Sequence, residues 1–250
     1  MNMKKLIALL LALTMLVAFA GCNNAQPKET TEETLPEGVM THDEFVAAAL
    51  DTEVTVYTYV QAVESWWDGC CQIYAQSKDG GYYIYDYACT EEDAAKLVPG
   101  TKIKVTGYKA EWSGEVEITD AKIEILEGTW KVEAATDVTA LMGTEDLAKH
   151  MNELVAIKGL TVAASKDADG NDVPFLYKWD GSGSQGDDIY FNVTIGENTF
   201  TFTVNAYMIG NEAAYKAVEA LKIGDKIDVE GFLYWYNAAQ PHITAVTPAA

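Results

Sequence analysis

The sequence predicts a mainly β fold: two five-stranded barrels, each preceded by a short helix and each carrying a helix between its third and fourth strands. Three features predict it. The segment Leu97-Val-Pro-Gly100-Thr-Lys-Ile103-Lys-Val105-Thr-Gly107-Tyr108 returns as Leu221-Lys-Ile-Gly224-Asp-Lys-Ile227-Asp-Val229-Glu-Gly231-Phe232, at a constant offset of 124, and such self-similarity marks a repeated structural unit. Each copy holds five runs of strand length with apolar and polar residues alternating. In each copy one helical stretch follows the third run.

In chain order, residues 1–21 are a targeting segment and are set apart from the fold. Lys4 and Lys5 precede an apolar run, Leu6 to Ala18, that is too short for a membrane span. It ends in Phe19-Ala20-Gly21-Cys22, which resembles a bacterial lipobox, with Phe19 where Leu is usual. The resemblance implies export, cleavage before Cys22, and a palmitate-type lipid on Cys22 that holds the chain to the outer side of the bacterial cell membrane. Residues 22–38 are rich in Thr and Glu and lack apolar periodicity, so they read as a disordered tether.

The first copy spans residues 39–128. A short helix starts behind the N-cap candidate Thr41, and strands follow at 52–64, 70–77, 81–89, 101–111 and 115–126, with a helix at 91–97. Residues 129–142, with Trp130 and Val132, read as a docked connector. The second copy spans 143–250: a helix at 144–151, strands at 153–164, 188–195, 199–206, 225–236 and 241–247, and a helix at 211–221. Five strands with a helix between the third and fourth resemble the OB-fold barrel. As a tandem pair behind a lipobox, the chain is similar to a family of small exported bacterial lipoproteins with OB-like domains and no defined role.

Hairpin registers sort the faces. In the second copy, pairing Ile195 with Phe200 puts Ile189, Phe191, Val193, Phe202 and Val204 on one face and Tyr190, Asn192, Thr201, Thr203 and Asn205 on the other. In the first copy, pairing Lys78 with Gly81 across the Asp79-Gly80 turn puts Cys71, Ile73, Ala75, Tyr82, Ile84 and Ala88 inside, with Asp86 the single misfit. Tyr74, Tyr83, Tyr85 and Tyr87 then lie outside with Gln72 and Gln76, and Tyr57, Tyr59 and Gln61 of the first strand join them. OB-folds bind ligands on this face, aided by the loops after the first and fourth strands, which here supply Trp66, Trp67 and Trp112. Tyr57, Tyr59, Trp66, Trp67, Tyr74, Tyr83, Tyr85, Tyr87 and Trp112 are therefore the candidate ligand-binding residues. Their rings suit stacking on flat or amphipathic ligands. They equally suit burial against the second barrel.

Charge bears on partners. The chain has 17 Lys, no Arg and 38 acidic residues, for a net charge of −21; without the leader's two lysines it is −23. The first copy alone has 6 Lys against 17 acids. Such a balance weighs against nucleic acid, because phosphate binding draws on clustered Lys and Arg. It also sets aside the staphylococcal-type nuclease chemistry that an OB-fold can carry, which depends on arginines.

Other candidate sites are sparse. His42, His150 and His242 show no metal spacing and read as surface or cap residues, and Cys70-Cys71 has no CxxC partner. The register sets Cys70 opposite Cys89, a candidate cross-strand disulfide. Asp167-Ala-Asp169-Gly-Asn171-Asp172 lacks the glycine position and closing Glu of a calcium loop and reads as a polar hairpin. No catalytic residue, metal or cofactor is predicted. The leading expectation is a non-enzymatic, lipid-anchored cell-surface binding or scaffold module, its tyrosine face meeting a neutral or cationic ligand: a glycan, a small molecule or an envelope protein. A nucleic-acid-binding OB protein and a purely structural pairing of the barrels are the rivals.

Overall fold

Thr41 opens the folded chain with a reciprocal cap, its hydroxyl accepting from the Glu44 N–H while the Glu44 carboxylate accepts from the Thr41 N–H. The computed structural model describes residues 35–249; the leader, Cys22 and most of the tether lie outside the described residues. Helix α1 (His42–Ala47) buries Phe45, and strands β1 (Glu53–Val63), β2 (Cys70–Gln76) and β3 (Gly81–Ala88) follow. After the short α2 (Glu91–Ala94) come the long β4 (Thr101–Trp112) and β5 (Glu115–Thr129). The five strands close into a barrel in the order β1-β2-β3-β5-β4, all neighbours antiparallel except β3 and β5. Its core is Val54, Val56, Val60, Ile73, Tyr82, Ile84, Ile103, Val105 and Ile118.

The second half repeats the plan. A two-residue strand β6 (Thr136–Asp137) and two 3-10 turns, Thr139–Leu141 and Glu145–His150, lead into β7 (Leu154–Ala163). The expected helix before this barrel is thus 3-10 in geometry. The long loop after β7 contains three two-residue strands, β8 (Ser165–Lys166), β9 (Asp172–Val173) and β10 (Leu176–Tyr177). Strands β11 (Ile189–Ile195) and β12 (Asn198–Val204), helix α3 (Glu212–Glu219), and strands β13 (Lys226–Phe232) and β14 (His242–Pro248) complete it. β7 pairs with both β11 and β13, β12 pairs parallel with β14, and β13 pairs with β14, which closes a second five-stranded barrel of the same topology. Its core includes Leu147, Val155, Ile157, Leu160, Phe191, Phe202, Val218 and Ile243. The fold is a tandem of OB barrels.

Both hairpin registers are displaced by two residues from the sequence expectation. Ile195 pairs with Asn198 and Val193 with Phe200; Gln76, not Lys78, pairs with Gly81. A two-residue displacement preserves the faces, so the expected cores stand. The tail of β3 does not follow the expected alternation. A bulge opens between Cys71 and Ile73, and Asp86, the misfit in the pattern, takes a left-handed φ of 45°. An extra residue reverses every later side chain. Tyr87 therefore pairs with Cys71 and packs against the barrel core, whereas Ala88 is exposed.

Candidate functional site

The outward tyrosines of barrel one meet the second barrel. Tyr74 and Tyr83 are buried in a separate apolar cluster with Ala62, Met208 and Phe232. The Tyr74 ring lies parallel to Phe232 at 4.4 Å, and Tyr83 packs edge-on to Tyr234 at 5.5 Å. Backbone bonds seal the edges of this contact, from Ser65 N–H to the Tyr207 carbonyl (2.7 Å) and from Ile209 N–H to the Val63 carbonyl (3.0 Å). Gly81 lies so close to the Asn152 backbone that a Cβ would strike its carbonyl carbon. Glu115 is fully buried here, one carboxylate oxygen accepting from the Trp235 N–H at 2.8 Å.

The remaining predicted residues scatter. Tyr57 and Tyr59 are half-buried under the Lys102 ammonium, and Tyr59 also packs on Trp130. Tyr85 is exposed. Trp66 donates its indole N–H to the Cys89 carbonyl, and Trp67 stands in solvent at 80% exposure. Trp112 alone among the nine belongs to the lining of the barrel-two cleft.

That cleft, about 670 Å³, lies on the outer face of barrel two. Tyr190 and Asn192 of β11 and Thr201 and Thr203 of β12 belong to its lining, and they share the polar face because alternation turns Phe191, Val193 and Phe202 into the core. Trp179, from the loop before β11, and Tyr234, Tyr236 and Gln240, from the loop after β13, complete the walls. Trp112, at the end of β4 in barrel one, contributes a wall from across the junction, its ring 5.2 Å from that of Tyr236. The face and both loops are those through which OB barrels hold ligands, with a strand end borrowed from the neighbouring barrel.

Its electrostatics are quiet. Lys166 lies on the lining and its ammonium is 2.7 Å from the Asp172 carboxylate. Asp188, also on the lining, accepts from the Ala206 N–H, and burial raises its carboxyl above the usual range. His242 is neither surface nor cap: it is buried, stacks on Tyr234 at 4.4 Å, and burial pushes its imidazole down to about 4. Among the described residues, no group of three or more His, Cys, Asp or Glu is placed to hold a metal ion.

The cysteines also depart from expectation. Cys70 lies opposite Ala88, not Cys89, because the hairpin pairs two residues away from the expected register and the bulge restores only one of them; Cys71 approaches Cys89 instead, with sulfurs 3.8 Å apart. Cys70, Cys71 and Cys89 are all free thiols, and burial pushes the Cys71 thiol up to about 12.

No family model matches the chain, and no curated protein matches it. Several solved structures are similar. One described as a murine DNA-binding protein bound to double-stranded DNA shares 12% identity at a TM-score of 0.33, over 78% of this chain and 99% of that one. The Ifi202 HINa domain in complex with double-stranded DNA shares 9% at 0.34, over 81% and 99%. A replication protein A heterotrimer bound to single-stranded DNA shares 7% at 0.27, over 85% and 69%.

The geometry of the junction and the cleft corrects two expectations. The tyrosine face of barrel one is not the open surface for neutral or cationic ligands that was expected: Tyr74 and Tyr83 are covered by barrel two. Nor does net charge remove nucleic acid as a partner. The acidic excess belongs to the whole chain, whereas the cleft walls are mostly aromatic rings and neutral polar groups.

Proposed function

We propose that this chain is an OB-fold nucleic-acid-binding protein whose barrel-two cleft takes the bases of a single strand. The observation that supports this reading is the set of five rings, Trp112, Trp179, Tyr190, Tyr234 and Tyr236, around the β11–β12 face, interleaved with Asn192, Thr201 and Gln240. Bases stack on such platforms whatever their sequence, each stack contributing about 1–3 kcal/mol, and the amide and hydroxyl groups meet base edges. The role is binding, without catalysis.

Charge is subordinate in this mode. For single strands the affinity falls with log salt at a slope of about −0.7 per neutralised phosphate. A cleft with Lys166 as its lysine therefore implies a slope no steeper than about −1. Titration with short oligothymidylate and oligoadenylate at low salt, followed by tryptophan fluorescence, tests the reading. Quenching is expected, and Trp112→Ala and Trp179→Ala should each weaken binding about tenfold. No binding by either strand, or binding that both variants leave unchanged, refutes it.

Export and lipidation at Cys22 complete the proposal, on the strength of Lys4, Lys5, the apolar run and Phe19-Ala20-Gly21-Cys22. Cells grown with a tagged fatty acid should label the chain and spare the Cys22→Ala variant. An unlabelled natural chain overturns this part alone.

A further inference from the structure

Two buried side chains meet on the lining of the barrel-two cleft. Thr203 of β12 and His242 of β14 are bridge partners across the parallel pair, both are buried, and both line the cleft. The Thr203 hydroxyl oxygen has no hydrogen-bond partner among the described residues. A buried hydroxyl left so is costly to the fold, and its position on a cleft offers a reason for keeping it.

His242 supplies a second, independent observation. Its Nδ1 lies 3.0 Å from the Tyr74 hydroxyl. Tyr74 is fully buried, so its O–H needs an acceptor, and Nδ1 is the one in reach. Tyr74 therefore donates, and the neutral imidazole carries its proton on Nε2. Burial keeps the ring neutral, and stacking on Tyr234 fixes its plane. The junction residue Tyr74 thus sets the tautomer of a ring in the cleft.

We propose that the Thr203 hydroxyl and the His242 Nε2–H form a hydrogen-bonding floor that reads the edge of a bound base, the imidazole donating to a carbonyl oxygen or ring nitrogen beside a polar atom that pairs with the hydroxyl. The proposal rests on the nucleic-acid reading of the same cleft. Stacking on the walls is indifferent to base identity, so the floor is where this site gains selectivity.

The test uses the full chain and short oligothymidylate. Long-range proton–nitrogen spectra should show His242 as the Nε2–H tautomer, and its Nε2 resonance should move when the strand is added. Thr203→Val should leave the melting temperature unchanged or higher, since it removes an unpartnered hydroxyl, and should weaken oligothymidylate binding about tenfold. An Nδ1–H tautomer overturns the floor. So does full-strength binding by the Thr203→Val variant, or a Nε2 resonance that stays still while tryptophan quenching reports a bound strand. Absence of any strand binding to the natural chain fells the nucleic-acid reading itself, and the floor with it.

Discussion

Glu64 and Glu115 are carboxylates that the pairing of the barrels removes from water. Asn205 donates to Glu64 at 2.6 Å and the Trp235 N–H to Glu115 at 2.8 Å. Burial, joined at Glu64 by the Asp188 charge, still pushes Glu64 up to about 7, and burial pushes Glu115 up to about 8. The folded protein therefore holds these protons where the unfolded chain, near 4.5, has lost them. Their stabilising contribution is full below pH 4.5 and fades as pH rises through 7 and 8. His242 acts oppositely: pushed down to about 4 from 6.5, it costs stability only as pH falls below 6.5. Between pH 6.5 and 8, then, the carboxylates act without that opposition. One pKa unit is about 1.4 kcal/mol, so a loss on the order of 2 kcal/mol is expected across that window. Urea midpoints at pH 6.5, 7 and 8 measure it, and Glu115→Gln, which keeps an acceptor for Trp235, should flatten most of the fall. Equal midpoints in the natural chain would contradict the burial of both protons.

At the scale of elements, what the sequence discloses follows from the period of a strand. The faces of β2, β3, β11 and β12 were legible because alternation is set residue by residue, and a two-residue displacement of register leaves it intact. The same insensitivity hid the true pairs, Gln76 with Gly81 and Ile195 with Asn198. Asp86 alone signalled the bulge that turns Tyr87 inward; a charged residue in an apolar row was the visible mark of it, whereas the displaced hairpin register is what carries Cys70 away from Cys89. That Tyr74 and Tyr83 point outward was legible. That Phe232 and Met208 cover them was not, because the contact joins residues more than a hundred positions apart and no local pattern encodes it. The cleft was hidden for the same reason. Trp112 ends β4 while Trp179 and Tyr236 sit on two separate loops of the other barrel, and Thr201 and Thr203 read locally as no more than a polar face.

At the scale of the whole molecule, the junction makes two barrels into one folding unit. The apolar cluster of Ala62, Tyr74, Tyr83, Met208 and Phe232 belongs to neither barrel core. Each barrel alone would expose its half of that cluster, and buried carboxylates and backbone donors would lose their partners in the other half. The cleft depends on the same pairing, since Trp112 reaches it from barrel one and Tyr74 orients His242 from barrel one. Phe232 lies at the centre of the contact, stacked on Tyr74 with ring planes 8° apart. Truncating a buried phenylalanine to alanine costs about 3–5 kcal/mol, and here the loss falls on the coupling between barrels. Tryptophan fluorescence reports mainly barrel one and its exit, through Trp66, Trp67, Trp112 and Trp130, whereas far-ultraviolet dichroism reports both barrels. In urea the two probes should coincide for the natural chain and separate for Phe232→Ala, with the first transition at lower urea and strand binding lost along with it. Two separated transitions in the natural chain would show that the barrels fold independently and that the junction only brings them side by side.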